Sequence, residues 1–170
     1  REELCVMNAA ATAEGALELL IRETPKTLLG SRALIIGYGR IGALLAHRLH
    51  SMGCAVTVSS RKYADMAWCR TYGYNVLDTR TLSGELSDFD MVINTVPAPI
   101  LNEELLMQLR SGALCMDLAS KPGGVDFAAA ARLGIHAVWA LSLPGEVAPV
   151  SAGEIIRDTI YNILREQELM

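Results

Sequence analysis

A glycine-rich turn that follows an apolar run constrains this chain more than any other feature. The apolar run occupies residues 33–36, and a helical pattern begins at about residue 40. The turn has the pattern GxGxxG and consists of Gly37, Tyr38, Gly39, Arg40, Ile41 and Gly42. In a strand–turn–helix unit, the first glycine permits the turn, the second lets the backbone approach a pyrophosphate, and the third lets the helix pack on the strand. The turn therefore predicts a dinucleotide-binding site, with a tight turn that binds nothing as the alternative.

The rest of the chain alternates short apolar runs with helical patterns. We predict strands at 33–36, 55–59, 91–95, 114–118 and 136–140, a weak strand near Val76, and helices at 40–52, 63–72, 103–109 and 127–133. Two further helices, at 13–23 and 151–167, bracket this unit. The alternation is typical of an α/β fold, a doubly wound parallel sheet of the Rossmann type. We therefore predict one domain, with a connector helix in residues 1–30, a Rossmann core at 31–148 and a C-terminal helix at 149–170.

Composition narrows the possible functions. Hydrophobic residues make up 51% of the chain and charged residues 20%, which excludes a disordered tail. A net charge of −4 and an aromatic content of 5% weigh against a nucleic-acid partner. No run approaches the roughly 20 apolar residues that a membrane helix needs. The four cysteines show no CxxC pair and no metal-ligand spacing, so we expect no metal and reduced thiols in a cytoplasmic protein.

The end of the second strand indicates which dinucleotide the turn would bind. NAD sites usually have an acidic residue there, which accepts hydrogen bonds from the adenosine ribose. This chain instead has Ser60, Arg61 and Lys62, and the first acid is Asp65. Two cations and a hydroxyl donor suit a 2′-phosphate. We therefore favour NADP, while NAD remains possible. The alternative for Arg61 and Lys62 is a solvated pair that binds no phosphate.

Three loops should meet the dinucleotide at the carboxyl edge of the sheet, where open parallel sheets bind ligands. The loop after the fourth strand is expected to contact the cofactor through Thr95, Val96 and Pro97. The loop after the fifth strand offers Ala119 to the cofactor, and Ser120 and Lys121 as catalytic candidates that could hold a substrate carboxylate. A third loop, 143–149, is expected to close over the cofactor with Pro144.

Five runs of sequence carry a resemblance to a known family: 12–16, 36–42, 94–98, 117–127 and 143–149. Together they resemble the C-terminal, dinucleotide-binding domain of the dipicolinate synthase A subunit family, and the Ala-Ser-Lys-Pro-Gly-Gly run at 119–124 is the most specific. The resemblance implies NAD(P) binding and a part in dehydrogenating a hydroxylated tetrahydrodipicolinate to dipicolinate in spore-forming bacteria, together with a flavoprotein-like B subunit. It also implies an N-terminal substrate domain, in keeping with a chain that begins with Arg1.

Other functions remain open from the residues alone. One is an NAD(P)-dependent oxidoreductase of another small carboxylate, of the hydroxyacid or shikimate type. Another is a non-catalytic module that senses NAD(P). The rigid loops at 94–99 and 120–124 weigh against a sensor, because a sensor needs only the adenosine half of the dinucleotide. The terminal helices could pack on a missing domain, on the B subunit or on a second copy of the chain, so a homo-oligomer is possible.

Overall fold

A single parallel sheet forms the centre of the molecule. The computed structural model describes residues 1–168 of the chain. The six strands of the sheet have the order β3-β2-β1-β4-β5-β6. The strands are β1 (Arg32–Ile36), β2 (Ala55–Ser60), β3 (Asn75–Asp78), β4 (Met91–Asn94), β5 (Leu114–Asp117) and β6 (His136–Trp139). The helices are α1 (Glu2–Glu23), α2 (Arg40–Ser51), α3 (Tyr63–Thr71), α4 (Glu103–Leu106), α5 (Phe127–Arg132), α6 (Leu143–Val147) and α7 (Pro149–Glu166). The predicted fold class is confirmed, with all six strands in place.

The strand order reverses between β1 and β4. Ile36 at the end of β1 lies beside Ser59 of β2 on one side and beside Asn94 of β4 on the other. The chain therefore leaves β1 in one direction and β4 in the other, which opens a crevice at the carboxyl edge between them. This crevice positions the candidate site.

Helices cover both faces of the sheet. Along β1, Ala33 and Ile35 point into one apolar cluster, with α1 and α2, whereas Leu34 and Ile36 point into the other, with α4 and α5. Because both faces are buried, the strand has no need of alternating polar residues. Asn102 and Asp126 cap α4 and α5 through side-chain oxygens, as the sequence predicts.

The first helix is longer than predicted. It begins at Glu2 rather than at residue 13, because residues 2–12 contain no helix breaker and two acidic residues stand in its first turn. By length and composition alone α1 is apolar enough to cross a membrane, contrary to the expectation from the sequence. In the fold, Ala13, Ala16 and Leu20 of this helix are completely buried in the core.

The segment predicted as a third loop is mostly helical. Residues 143–147 form α6, with Pro144 in its first turn, where a proline is tolerated. This helix packs against α1 so closely that a Cβ on Gly15 would lie 3.1 Å from Cβ of Leu143 and 3.2 Å from Cγ1 of Val147. The prediction of a loop was wrong because Pro-Gly, usually a turn signal, here lies in the first turn of a helix that packs on α1. Residues 169 and 170, the end of the predicted C-terminal segment, lie outside the described residues.

Candidate functional site

A cleft of about 730 Å³ opens at the carboxyl ends of β1 and β4. Six segments line it: the glycine turn, the end of β2, the start of α3, the residue after β3, the loop after β4 and the first half of α1. The lining residues are Cys5, Asn8, Ala9, Gly37, Tyr38, Gly39, Arg40, Ile41, Ser60, Arg61, Lys62, Asp65, Thr79, Thr95, Val96, Pro97, Ala98, Pro99 and Ile100. Eleven of the residues predicted to bind a cofactor therefore share one cleft, whereas Gly42 lies behind it.

The glycine turn is shaped by close contacts that a side chain would break. Gly37 has a φ of 98°, and a Cβ there would lie 2.6 Å from Oγ1 of Thr95 and 2.7 Å from Cγ2 of Val96. A Cβ on Gly42 would overlap the carbonyl oxygen of Gly37. Gly39 lines the cleft, and a Cβ on it would meet no protein atom within 4 Å. The turn is therefore closed on its protein side and open on its cleft side.

The helix that follows the turn offers unpaired donors. Gly39 is the N-cap residue of α2, and no side chain caps this helix end. The first N–H groups of a helix have no partner inside the helix and carry a partial positive charge. Together with the open side of Gly39, these groups fit a pyrophosphate.

The loop after β4, residues 95–99, is tied to its neighbours by polar contacts. Oγ1 of Thr95 donates to the carbonyl oxygen of Ile36 at 2.9 Å. The side chain of Asn94 donates to the carbonyl oxygen of Val96 at 2.9 Å and accepts from the Val96 N–H at 3.2 Å. The cleft wall formed by Thr95, Val96 and Pro97 is thus fixed to the ends of β1 and β4.

At the other end of the cleft, Ser60, Arg61 and Lys62 lie together, but Ser60 is not a free donor. Its Oγ donates to Oδ2 of Asp65 at 2.8 Å and accepts from the Lys62 N–H at 3.2 Å. A serine hydroxyl can donate only one hydrogen bond, and here that hydrogen bond goes to Asp65. In this arrangement the Ser60 hydroxyl would have to leave Asp65 to donate to a 2′-phosphate, and its contact with a cofactor stays a prediction. Asp65 was not predicted to bind a cofactor. It lines the same cleft because the first turn of α3 brings it back toward β2.

Arg40 is also paired. Its Nε donates to Oε1 of Glu2 at 2.7 Å, and a second guanidinium nitrogen donates to the other carboxylate oxygen at 2.5 Å. The hydrogen bond from Arg40 lowers the pKa of Glu2 below its usual range. Both side chains are exposed, so water screens this pair. The sequence did not indicate this contact, or Cys5, Asn8 and Ala9 in the cleft wall, because the first helix was predicted to begin at residue 13.

Tyr38 contributes a neutral surface to the cleft. It packs against the core cluster below the turn, and burial, followed by the nearby Cys69, raises the pKa of its hydroxyl to about 12. The phenol therefore stays protonated at neutral pH and brings no charge to the candidate pyrophosphate site.

Besides Gly42, four predicted site residues lie outside the cleft. Ser120 and Lys121 are exposed on the loop after β5, next to a cis peptide bond between Lys121 and Pro122. Ala119 is buried, and its carbonyl oxygen accepts from Nε1 of Trp139 at 3.1 Å. Pro144 belongs to α6. Their proposed contacts with substrate or cofactor stay predictions.

Within residues 1–168, no cluster of three or more His, Cys, Asp or Glu side chains could hold a metal ion. The cysteines are unpaired; Cys54, Cys69 and Cys115 are buried, and Cys5 is exposed at the cleft. Burial raises the pKa of Cys115 to about 12. These buried thiols are therefore protonated packing residues.

Comparison with known proteins agrees with this geometry. Residues 10–120 match the family described as D-isomer specific 2-hydroxyacid dehydrogenase, NAD binding domain. The chain is 37% identical over 166 residues to the A subunit of dipicolinate synthase from Bacillus subtilis (strain 168), covering 98% of this chain and 56% of the relative. It therefore spans about half the length of that relative, and the resemblance seen in the sequence is confirmed.

Solved structures give the same result. The dipicolinate synthase A chain of Bacillus subtilis is 36% identical with a TM-score of 0.96, over 99% of this chain and 57% of that one. Its counterpart from Bacillus halodurans, the A subunit of the same synthase, is 35% identical with a TM-score of 0.94, over 96% and 56%. A transhydrogenase from Sinorhizobium meliloti, 19% identical with a TM-score of 0.84 over 96% and 55%, shares the fold. On the family match, the chain belongs to the NAD-binding domains of the D-isomer specific 2-hydroxyacid dehydrogenases.

Proposed function

We propose that the cleft binds NADP, with NAD as the alternative, and that the chain is the cofactor-binding part of a dehydrogenase. The observation that carries the proposal is the uncapped start of α2 at the strand-order reversal, facing a cleft that has Arg61 and Lys62 at its other end. Within residues 1–168, neither cation makes an ion pair. Donors of this kind at both ends suit a pyrophosphate and a second phosphate.

A side-by-side titration with NADPH and NADH, followed by nucleotide fluorescence, tests this proposal. We expect tighter binding of NADPH and a roughly tenfold or larger loss of NADPH affinity in Arg61→Ala, since a hydrogen bond to a charged group contributes about 1.5–3 kcal/mol. Arg70→Ala is the matched control, because Arg70 is exposed at the other end of α3 and does not line the cleft. Equal affinities for NADPH and NADH would contradict the preference for NADP. If neither nucleotide binds, the proposal that the chain is part of a dehydrogenase is wrong.

The substrate proposal follows the relatives' name. We propose that the whole protein, in the cytoplasm of a spore-forming cell, dehydrogenates a hydroxylated tetrahydrodipicolinate to dipicolinate together with the B subunit of the synthase. A bound nicotinamide cofactor supplies the hydride acceptor. Lys121 and Ser120 would hold substrate carboxylates, since their loop follows β5, the strand beside β4.

Turnover by the full protein together with the B subunit tests that role. Lys121→Ala should lower turnover about 10- to 100-fold, because one charge-assisted contact with a carboxylate is lost, while NADPH affinity stays unchanged. Lys26→Ala, at the opposite edge of the sheet, is the control. Unchanged turnover would remove Lys121 from the site. The family match favours one second candidate, a 2-hydroxyacid dehydrogenase, which oxidation of a panel of small 2-hydroxyacids would reveal.

A further inference from the structure

A buried carboxylate joins the two loops at the carboxyl edge. Asp117 ends β5 directly beside Asn94, which ends β4, and both side chains are completely buried. Oδ1 of Asp117 accepts from Nδ2 of Asn94 at 2.8 Å and from the Ala119 N–H at 3.0 Å. Oδ2 accepts from the N–H groups of Gly124 at 2.7 Å and Val125 at 3.2 Å. One side chain therefore holds both ends of the loop that carries Ser120 and Lys121.

The same carboxylate reaches the cleft wall through Asn94. Nδ2 of Asn94 also donates to the carbonyl oxygen of Val96, a lining residue, at 2.9 Å. The space around the pair is filled: a Cβ on Gly124 would overlap Nδ2 of Asn94, and a Cβ on Gly123 would lie 2.8 Å from Oδ2 of Asp117. The two loops are thus connected through one packed, fully satisfied polar network.

Asp117 brings a negative charge into this network. All four of its hydrogen-bond partners are donors, so none accepts the proton of a carboxylic acid, and the group is a carboxylate. None of the ion pairs described within residues 1–168 includes it. A buried charge is costly unless hydrogen bonds satisfy it, and a charge that water cannot screen acts over a longer distance.

We propose that Asp117 is a positioning residue that fixes the two loops together and whose charge favours the oxidised, cationic nicotinamide in the cleft. The proposal rests on the proposed function, since it needs a nicotinamide dinucleotide in the cleft. The oxidised ring carries a positive charge that the reduced ring lacks. A fixed negative charge behind the cleft wall therefore stabilises the oxidised cofactor, which is the form that a dehydrogenation consumes.

Calorimetric titration of the full protein with NADP⁺ and NADPH, and with NAD⁺ and NADH in parallel, tests this proposal. We expect the wild type to bind the oxidised form at least as tightly as the reduced form. Asp117→Asn keeps the size of the side chain and removes its charge. It should weaken the oxidised form roughly several-fold more than the reduced form, because the fixed charge attracts only the cationic ring.

Asn94→Ala is the matched control, because it loosens the same loops and leaves the charge of Asp117 in place. It should weaken both cofactor forms by the same factor. Equal weakening of both forms in Asp117→Asn would overturn the proposal and leave Asp117 a purely structural residue. If Asp117→Asn does not fold, a wild type that binds the reduced form more tightly overturns it. If the wild type binds neither form, the proposed function is wrong as well. If Asp117→Asn binds both forms with the same ratio of affinities as the wild type, this inference alone is wrong.

Discussion

The two edges of the sheet use charged residues in opposite ways. At the amino edge, Asp90 stands directly before β4 and accepts from the Arg32 N–H at 2.9 Å and from the Arg110 guanidinium at 3.0 Å. At the carboxyl edge, α2 begins without a side-chain cap, and Arg61 and Lys62 make no ion pair within the part of the chain that the structure describes. The protein pairs Asp90 with its own groups at one edge and leaves the start of α2, Arg61 and Lys62 without such partners at the other. We propose that the amino edge serves stability and the carboxyl edge serves binding.

The largest effect should come from Gly42 at the carboxyl edge. In Gly42→Ala the new Cβ would overlap the carbonyl oxygen of Gly37, so α2 must move away from the turn. We expect NADPH affinity, measured by nucleotide fluorescence, to fall about 100-fold, the equivalent of one or two charge-assisted hydrogen bonds. The melting temperature should also fall, because overpacking costs roughly 1–3 kcal/mol.

Two companion variants separate binding from folding. A Cβ on Gly39 would meet no protein atom within 4 Å, so Gly39→Ala should keep the melting temperature and still weaken NADPH binding, because Gly39 lines the cleft. Gly145→Ala adds a methyl group in open space outside the cleft and should leave NADPH binding unchanged. Wild-type affinity in both Gly42→Ala and Gly39→Ala would contradict a pyrophosphate site at this turn.

A smaller effect, on stability alone, is expected at the amino edge. The hydrogen bond from the Arg32 N–H, together with the nearby Lys26, lowers the pKa of Asp90. A lowered pKa in the folded state means that the carboxylate stabilises the fold above its unfolded pKa of about 3.9 and that this contribution is lost as the pH falls through the folded pKa. Asp90→Asn should therefore cost about 1 kcal/mol of unfolding free energy at pH 7, and this difference should shrink below about pH 4.

Urea denaturation at pH 7 and at pH 3 measures this difference. Asp88→Asn is the control, because its ion pair with Arg32 is 3.2 Å long and mostly exposed to water, so we expect little change. NADPH affinity should be the same in both variants. A loss of binding in Asp90→Asn without a loss of stability would break the division between the two edges.

The sequence was sufficient to predict the sheet, because local patterns determine it. Apolar runs without alternation indicate strands buried on both faces, and the glycine turn marks the first β–α connection. The errors lie where packing between distant segments decides the structure. Residues 2–12 contain no helix breaker, but their helix also pairs with a distant segment, as Glu2 does with Arg40. The helix α6 lies close against α1 at Gly15, more than 120 residues away.

The same distinction applies to the candidate site. The turn proposed for the pyrophosphate is built from backbone groups of consecutive residues, so its pattern was sufficient to predict the shape of the turn. The ribose end depends on which side chains pair. Asp65 returns to Ser60 only because α3 starts where it does, and Glu2 reaches Arg40 from a helix whose first turns were not predicted. The position of Asp65 in the first turn of the helix after β2 was the feature of the sequence that could have predicted its place in the cleft.

The smallest predicted effect tests the role of Asp65, the partner of Ser60. Asp65 places a carboxylate in the cleft with Arg61 and Lys62, so it opposes a 2′-phosphate there. Asp65→Asn should raise NADPH affinity by about three- to tenfold at low salt, and by less at high salt, because ions screen exposed charges. NADH lacks the 2′-phosphate, so its affinity should not rise. Glu104→Gln, an exposed acid on α4 outside the cleft, should change neither affinity. If NADH affinity instead falls and NADPH affinity stays constant, Asp65 acts as an acceptor for the ribose hydroxyls, and NAD becomes the cofactor that the side chains at this end of the cleft select.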